Sequence, residues 1–164
     1  MSTTSPDTRR VLVAVDGSPA SLEALRAGHQ MATLLGDRLV GVTAWQSFRH
    51  GVLPPTSIHP EESAEQLVTR SATAAFRGGV VPPFEVVVVE GDPADNLIAL
   101  SCGASLLVVG SRGHSGLSGM LLGSVSNACA AHAACPVLIV HAPETAASTT
   151  PDDLTADQRI VVTL

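Results

Sequence analysis

The residues best able to do chemistry lie in Gly110-Ser111-Arg112-Gly113, nine further residues from His114 to Leu122, and then Gly123-Ser124-Val125-Ser126. Glycines at 110, 113, 116, 119 and 123 let a ligand approach the backbone without a Cβ in the way and admit positive φ. The apolar run from Ser105 to Val109 feeds straight into Gly110, and a helical pattern opens at Gly123-Ser124 and continues from Val125 to Ala134. A strand, a glycine loop and a helix start present free N–H groups to an anion, and the helix dipole favours negative charge at the same place. Ser124 and Ser126 could add hydroxyl donors. The familiar motifs do not account for the stretch. A Walker loop needs Gly-Lys-Ser/Thr and there is no lysine here, while a dinucleotide fingerprint needs G-x-G-x-x-G. A nucleophile elbow, G-x-S-x-G, would need its last glycine where Leu117 stands.

Taken alone, a glycine loop after a buried strand is more often a plain connection than a phosphate site, so support must come from elsewhere in the chain. Asp16 offers some. A carboxylate just beyond the carboxyl end of a central strand stands at the usual ligand crevice of an open α/β sheet. An aspartate in that place equally stabilises its own turn, so both readings stay open. Arg112 either pairs with phosphate or is solvated. His50, His59 and Trp45 border a long loop, Gln46 to His59, that could line a site, although packed or solvated roles account for each of them better.

These residues need a frame, and the chain spells one. Arg10–Val15 is an apolar run stopped by Asp16-Gly17-Ser18-Pro19, with Ser18 as helix cap and Pro19 at the first helical position. Leu22, Ala24, Leu25, Gly28, Met31, Ala32 and Leu35 then recur at helical spacing until Gly36. Arg38 to Trp45 reads as a second strand. After the loop, a helix is expected from about Pro60 to Arg77, burying Ala64, Leu67, Val68, Ser71 and Ala75, with Glu61, Glu62 and Glu65 near its start. Phe84 to Val89 is a third strand, and Asp92-Pro93 repeats the capped start of the first helix, with Leu97, Ile98 and Leu100 expected against the sheet. Ser105 to Val109 and Pro136 to His141 complete five strands alternating with helices, which is the pattern of a doubly wound parallel sheet. If the first strand is central and the order reverses between it and the fourth, the Asp16 turn and the Gly110 loop open at one crevice. Beyond Ala142 the composition turns polar, and the final six residues read as a mobile tail in preference to a short strand pairing with a sheet edge, in cis or in a partner.

Composition narrows the function. The 164 residues are 45% hydrophobic but only 2% aromatic, which fits one domain whose core is Val, Leu, Ile and Ala. A net charge of −6 leaves no electrostatic footprint for nucleic acid. No apolar stretch reaches the ~18 to 20 residues of a membrane span, and residues 1–9 lack an apolar signal core, so a cytoplasmic location is expected. Cys102, Cys129 and Cys135 read as buried free thiols, and the six histidines show no metal-ligand spacing.

Val13-Ala14-Val15-Asp16-Gly17-Ser18, the spacing Gly110-x-x-Gly113, nine residues, Gly123-Ser124-Val125-Ser126, and Pro136-Val137-Leu138-Ile139-Val140 together resemble the ATP-binding branch of the universal stress protein family. The resemblance covers roughly Arg10 to Ala142, leaving 1–9 as a tail and 143–164 as an extension. It implies a homodimeric, mostly cytoplasmic protein with a Rossmann-like five-stranded sheet, order 3-2-1-4-5, that binds ATP or a related adenine nucleotide. By the same resemblance Asp16 with the Ala14-Val15 backbone lines the pocket, Val42 flanks adenine, Val109 and Gly110 lie near the ribose, and Gly113, Gly123, Ser124, Val125 and Ser126 hold phosphates. It further implies a dimer through Pro136 to His141, and that magnesium can accompany the triphosphate with Asp16 or phosphate oxygens as its hard ligands. The expected function is a nucleotide-dependent switch. Slow ATP hydrolysis is the alternative, though only Asp16 or His114 offers a general base, and a nucleotide-independent dimer is another.

Overall fold

A computed structural model describes residues 9–45, 60–76, 82–113, 122–143 and 161–163. Branched residues at alternate positions make Arg10–Ala14 (β1) a strand, with Val11, Leu12 and Val13 all buried. Where the run stops, Ser18 accepts a bond from Ser21 N–H at 3.2 Å and Pro19 opens the helix Pro19–Leu35 (α1). That helix ends at Gly36, whose φ of 68° is left-handed, a conformation that glycine adopts without strain. Arg38–Trp45 (β2), Pro60–Ala75 (α2), Glu85–Glu90 (β3), Pro93–Leu100 (α3), Leu106–Gly110 (β4), Ser124–His132 (α4) and Val137–Val140 (β5) follow.

The five strands pair in parallel in the order β3-β2-β1-β4-β5, as expected from the sequence. Val13 pairs with Gly41 on one side and with Val108 on the other, so β1 is central and the order in which these parallel strands are added reverses between β1 and β4. Side-chain alternation divides the core in two. Val11, Val13 and Val108 meet Ala24, Leu25 and Ala32 of α1 and Val68 of α2 on one face. Leu12, Val40, Val42, Leu107 and Val109 meet Leu97 of α3 and Cys129 of α4 on the other. Ser101 fastens α3 to the end of α4, because its buried hydroxyl donates to Ile98 O at 2.6 Å and accepts from Ala134 N–H at 2.8 Å.

Several expectations need correction. Leu35 is half exposed and Leu34 more so, since the core contact of α1 ends at Ala32; Ala20, Ser21, Ala24, Leu25, Gly28 and Ala32 supply its buried face. Of the three thiols only Cys129 is fully buried, and Cys102, past the end of α3, is exposed. The end of the chain enters the sheet. Val161–Thr163 (β6) pairs antiparallel with β5, placing Leu138 opposite Val162, so β5 is not the outer strand. The long loop with His50 and His59, the residues His114, Gly116 and Gly119, and most of the tail and the extension lie outside the described residues.

Candidate functional site

Because β1 ends at Ala14 while β2 runs on to Trp45, the carboxyl ends of the strands leave a hollow that the turns above must close. Val15 N–H donates to Val42 O at 2.8 Å, the last link between the two strands. Peptide groups alternate sides along a strand, so the N–H and C=O of Ala44 point the same way as those of Val42, beyond the end of β1. They find no backbone partner among the described residues.

Asp16 stands at the head of the hollow. Its Oδ1 accepts from Ser18 N–H at 2.9 Å, so the turn role read from sequence is real. The other oxygen, Oδ2, faces Gly113: a Cβ there would lie 2.6 Å from it. The two turns are joined directly, since the Ser18 hydroxyl donates to Arg112 O at 3.4 Å. The glycine loop is clasped at its base by Gly123 N–H donating to Ser111 O at 2.8 Å, while Ser111 N–H donates to Val140 O at 2.7 Å. Gly110 packs against α1 so closely that a Cβ would lie 2.9 Å from the carbonyl carbon of Ala20.

At the start of α4 the cap residue is Gly123, and no side chain caps the helix. The first-turn N–H groups are thereby left for a guest. Ser124 is exposed at that end. Ser126 is different from what its position promised: it is buried and its hydroxyl donates to Gly110 O at 2.6 Å, so its proton holds α4 to β4. Arg112 is exposed and contributes its backbone carbonyl to the junction.

All twelve expected site residues, Ala14, Val15, Asp16, Val42, Val109, Gly110, Arg112, Gly113, Gly123, Ser124, Val125 and Ser126, line one cavity of about 460 Å³. Sequence reasoning missed the rest of its wall: Ser18 and Ser21, Thr43 and Ala44 after Val42, Leu67 of α2, Val89 of β3, and Pro93 and Leu97 of α3. A signal existed for Ala44, because β2 is read two residues longer than β1, which leaves its tip free to overhang. A second cavity of about 470 Å³ lies at the amino ends of the strands among His29, Asp37, Arg38, Phe84 and Glu85. It has no glycine loop and no helix start, and its Arg38 is already paired with Glu85. The chemistry selects the first.

The described residues contain no group of three or more His, Cys, Asp and Glu able to hold a metal, and no helix long and apolar enough to cross a membrane. Away from the cavity, burial and the neighbouring Cys135 push the Cys129 thiol up to about 11.

The model of the universal stress protein family matches residues 7–141, nearly the whole of the sheet and its helices. The chain belongs to that family. Among the universal stress proteins it is similar to Rv2005c of Mycobacterium tuberculosis, with 40% identity over 136 residues covering 82% of this chain and 46% of the relative. The chain thus spans about half the length of the curated relatives it matches. A universal stress protein solved in complex with cAMP is 33% identical, with a TM-score of 0.58 over 82% of this chain and 98% of its own. The universal stress protein UspA from Lactobacillus plantarum, 18% identical with a TM-score of 0.62 over 81% of this chain and 97% of its own, shares the fold.

Proposed function

We propose that this universal stress protein domain binds ATP, or a closely related adenine nucleotide, and that occupancy of the crevice acts as a switch. The observation that carries the reading is the polarity of the cavity. One end holds the uncapped start of α4, Gly113 and Ser124; the other is an apolar slot of Val42, Leu67, Val89, Pro93 and Leu97. A phosphate chain suits the first end and a base the second. The overhanging Ala44 peptide adds a donor beside an acceptor, which complements the ring nitrogen and amino group on the edge of adenine.

Asp16 argues for a cation with the phosphates. A carboxylate oxygen facing Gly113 would repel an approaching phosphate unless a hard cation stood between them. Asp16 Oδ2 is the oxygen that would face magnesium, which supplies charge neutralisation. No described group is placed as a general base besides Asp16, so rapid hydrolysis is not part of the proposal. The relative solved with cAMP favours a second reading, in which the cyclic nucleotide takes the same crevice. Homodimerisation through Pro136 to His141 remains the proposed assembly, with β6 leaving the edge first.

Isothermal titration with ATP and magnesium, followed by competition with cyclic AMP, tests the reading. At a ligand concentration 100 times Kd the native state gains about 2.7 kcal/mol, a rise in Tm of roughly 5–10 °C for a domain of this size. No heat and no shift with either nucleotide would discard the proposal.

A further inference from the structure

Thr43 is the anomaly of the apolar slot. It follows Val42, so its side chain leaves the opposite face of β2, toward α1 and α2, and it lines the cavity there with Ser21 and Leu67. The residue is 4% exposed, and its hydroxyl makes no hydrogen bond among the described residues. A buried hydroxyl without a partner is costly, and threonines so placed normally bond to the backbone or to a neighbour. Ser18, Ser21 and Ser126, the other buried hydroxyl residues on this wall, all do so. Arg10 Nε and Asp37 Oδ1 are the described side-chain atoms both sealed from solvent and without a hydrogen bond, and Asp37 Oδ1 still has Arg9 Nε at 3.6 Å. The Thr43 hydroxyl is unpaired yet not sealed, so what reaches it is the content of the cavity.

We propose that Thr43 is a specificity-determining residue that accepts a hydrogen bond from the exocyclic amino group of the bound base. This rests on the nucleotide reading and deepens it. With the phosphates at α4 the base lies at the β2 end, where Val42, Leu67, Val89, Pro93 and Leu97 are hydrocarbon, the Ser21 hydroxyl is already committed to Ser18 O, and Thr43 carries the hydroxyl left over. An adenine amino group has two N–H donors. The free carbonyl of Ala44 accounts for one, and the second would be buried unsatisfied against Val and Leu without a hydroxyl to receive it. A site built to bond a polar group discriminates strongly against the analogue that lacks it, because its own polar atom is then left unpaired.

The test is a cycle of two proteins and two ligands. Wild type and Thr43→Val, which keeps the shape and removes the hydroxyl, are titrated with ATP and with purine riboside triphosphate, which lacks the amino group. The expected result is a roughly three- to tenfold loss of ATP affinity in Thr43→Val, little change for the analogue, and recovery in Thr43→Ser. Equal losses for both ligands, or none for ATP, would overturn the assignment while leaving the nucleotide site standing. If wild type binds neither ligand, the site itself is wrong and the role of Thr43 goes with it. Melting curves of the apo proteins exclude misfolding as the cause.

Discussion

Gly113 has no room for a side chain on the side that matters. A methyl group there would lie 2.6 Å from Asp16 Oδ2, and since Asp16 is exposed its carboxylate can swing away. The fold therefore tolerates Gly113→Ala within about 0.5 kcal/mol, as for most surface changes. The crevice does not, because the displaced carboxylate and the new methyl occupy the proposed phosphate approach. Calorimetry should show ATP binding weakened about tenfold or more, some 1.4 kcal/mol, with an unchanged apo Tm. At the thiols, accessibility and charge act together. Cys102 is exposed, whereas Cys129 is buried with its pKa raised from 9.0 to about 11. Iodoacetamide at pH 8 should label Cys102 and spare Cys129, read by peptide mass spectrometry. The same shift fixes a sign. Between pH 9 and 11 the unfolded chain ionises this thiol and the folded chain does not, so its contribution lowers stability as pH climbs through that window.

Among the elements, α1 shows a conflict between local preference and packing. Gly28 sits mid-helix, where alanine would gain up to about 1 kcal/mol of helix propensity. A Cβ at that point would strike Val13 Cγ2, which belongs to a fully buried strand residue and cannot retreat. Overpacking of that kind costs about 1–3 kcal/mol, so Gly28→Ala should lower the urea midpoint despite the better helix former. The helix was nonetheless legible from its cap at Ser18, its proline and its stop at Gly36, and the strands from runs of branched residues. Those signals are local. Leu35 misled because periodicity gives the phase of a helix but not where its contact with the core ends, here at Ala32. Ser126 does line the cavity, but its hydroxyl's commitment to Gly110 O depends on how far α4 sits from β4, which no local pattern encodes. Thr43 was invisible for a related reason: a threonine in a strand looks ordinary until its partners are known to be missing. Asp16 was visible only as a choice between turn and crevice, and the structure gives one oxygen to each.

For the molecule as a whole, the two open ends of the sheet are not alike. β3 presents one margin with Glu85 and Glu90 at its ends, and charged ends of this kind discourage pairing. The other margin holds β6, three residues long and tied to β5 through residues 141–160. A strand tethered to its own dock competes with any visitor at a local concentration on the order of millimolar, whatever the concentration of protein in the tube. Replacing Val161 and Val162 by proline removes ladder donors and should release the margin. In sedimentation runs at micromolar protein the doubly substituted chain should self-associate more strongly than wild type, and identical profiles would show that this margin is not where copies meet. Should two copies meet at this margin, as proposed, the chain carries its own decoy: dilution alone will not decide whether they join, because the first competitor each has to displace is itself.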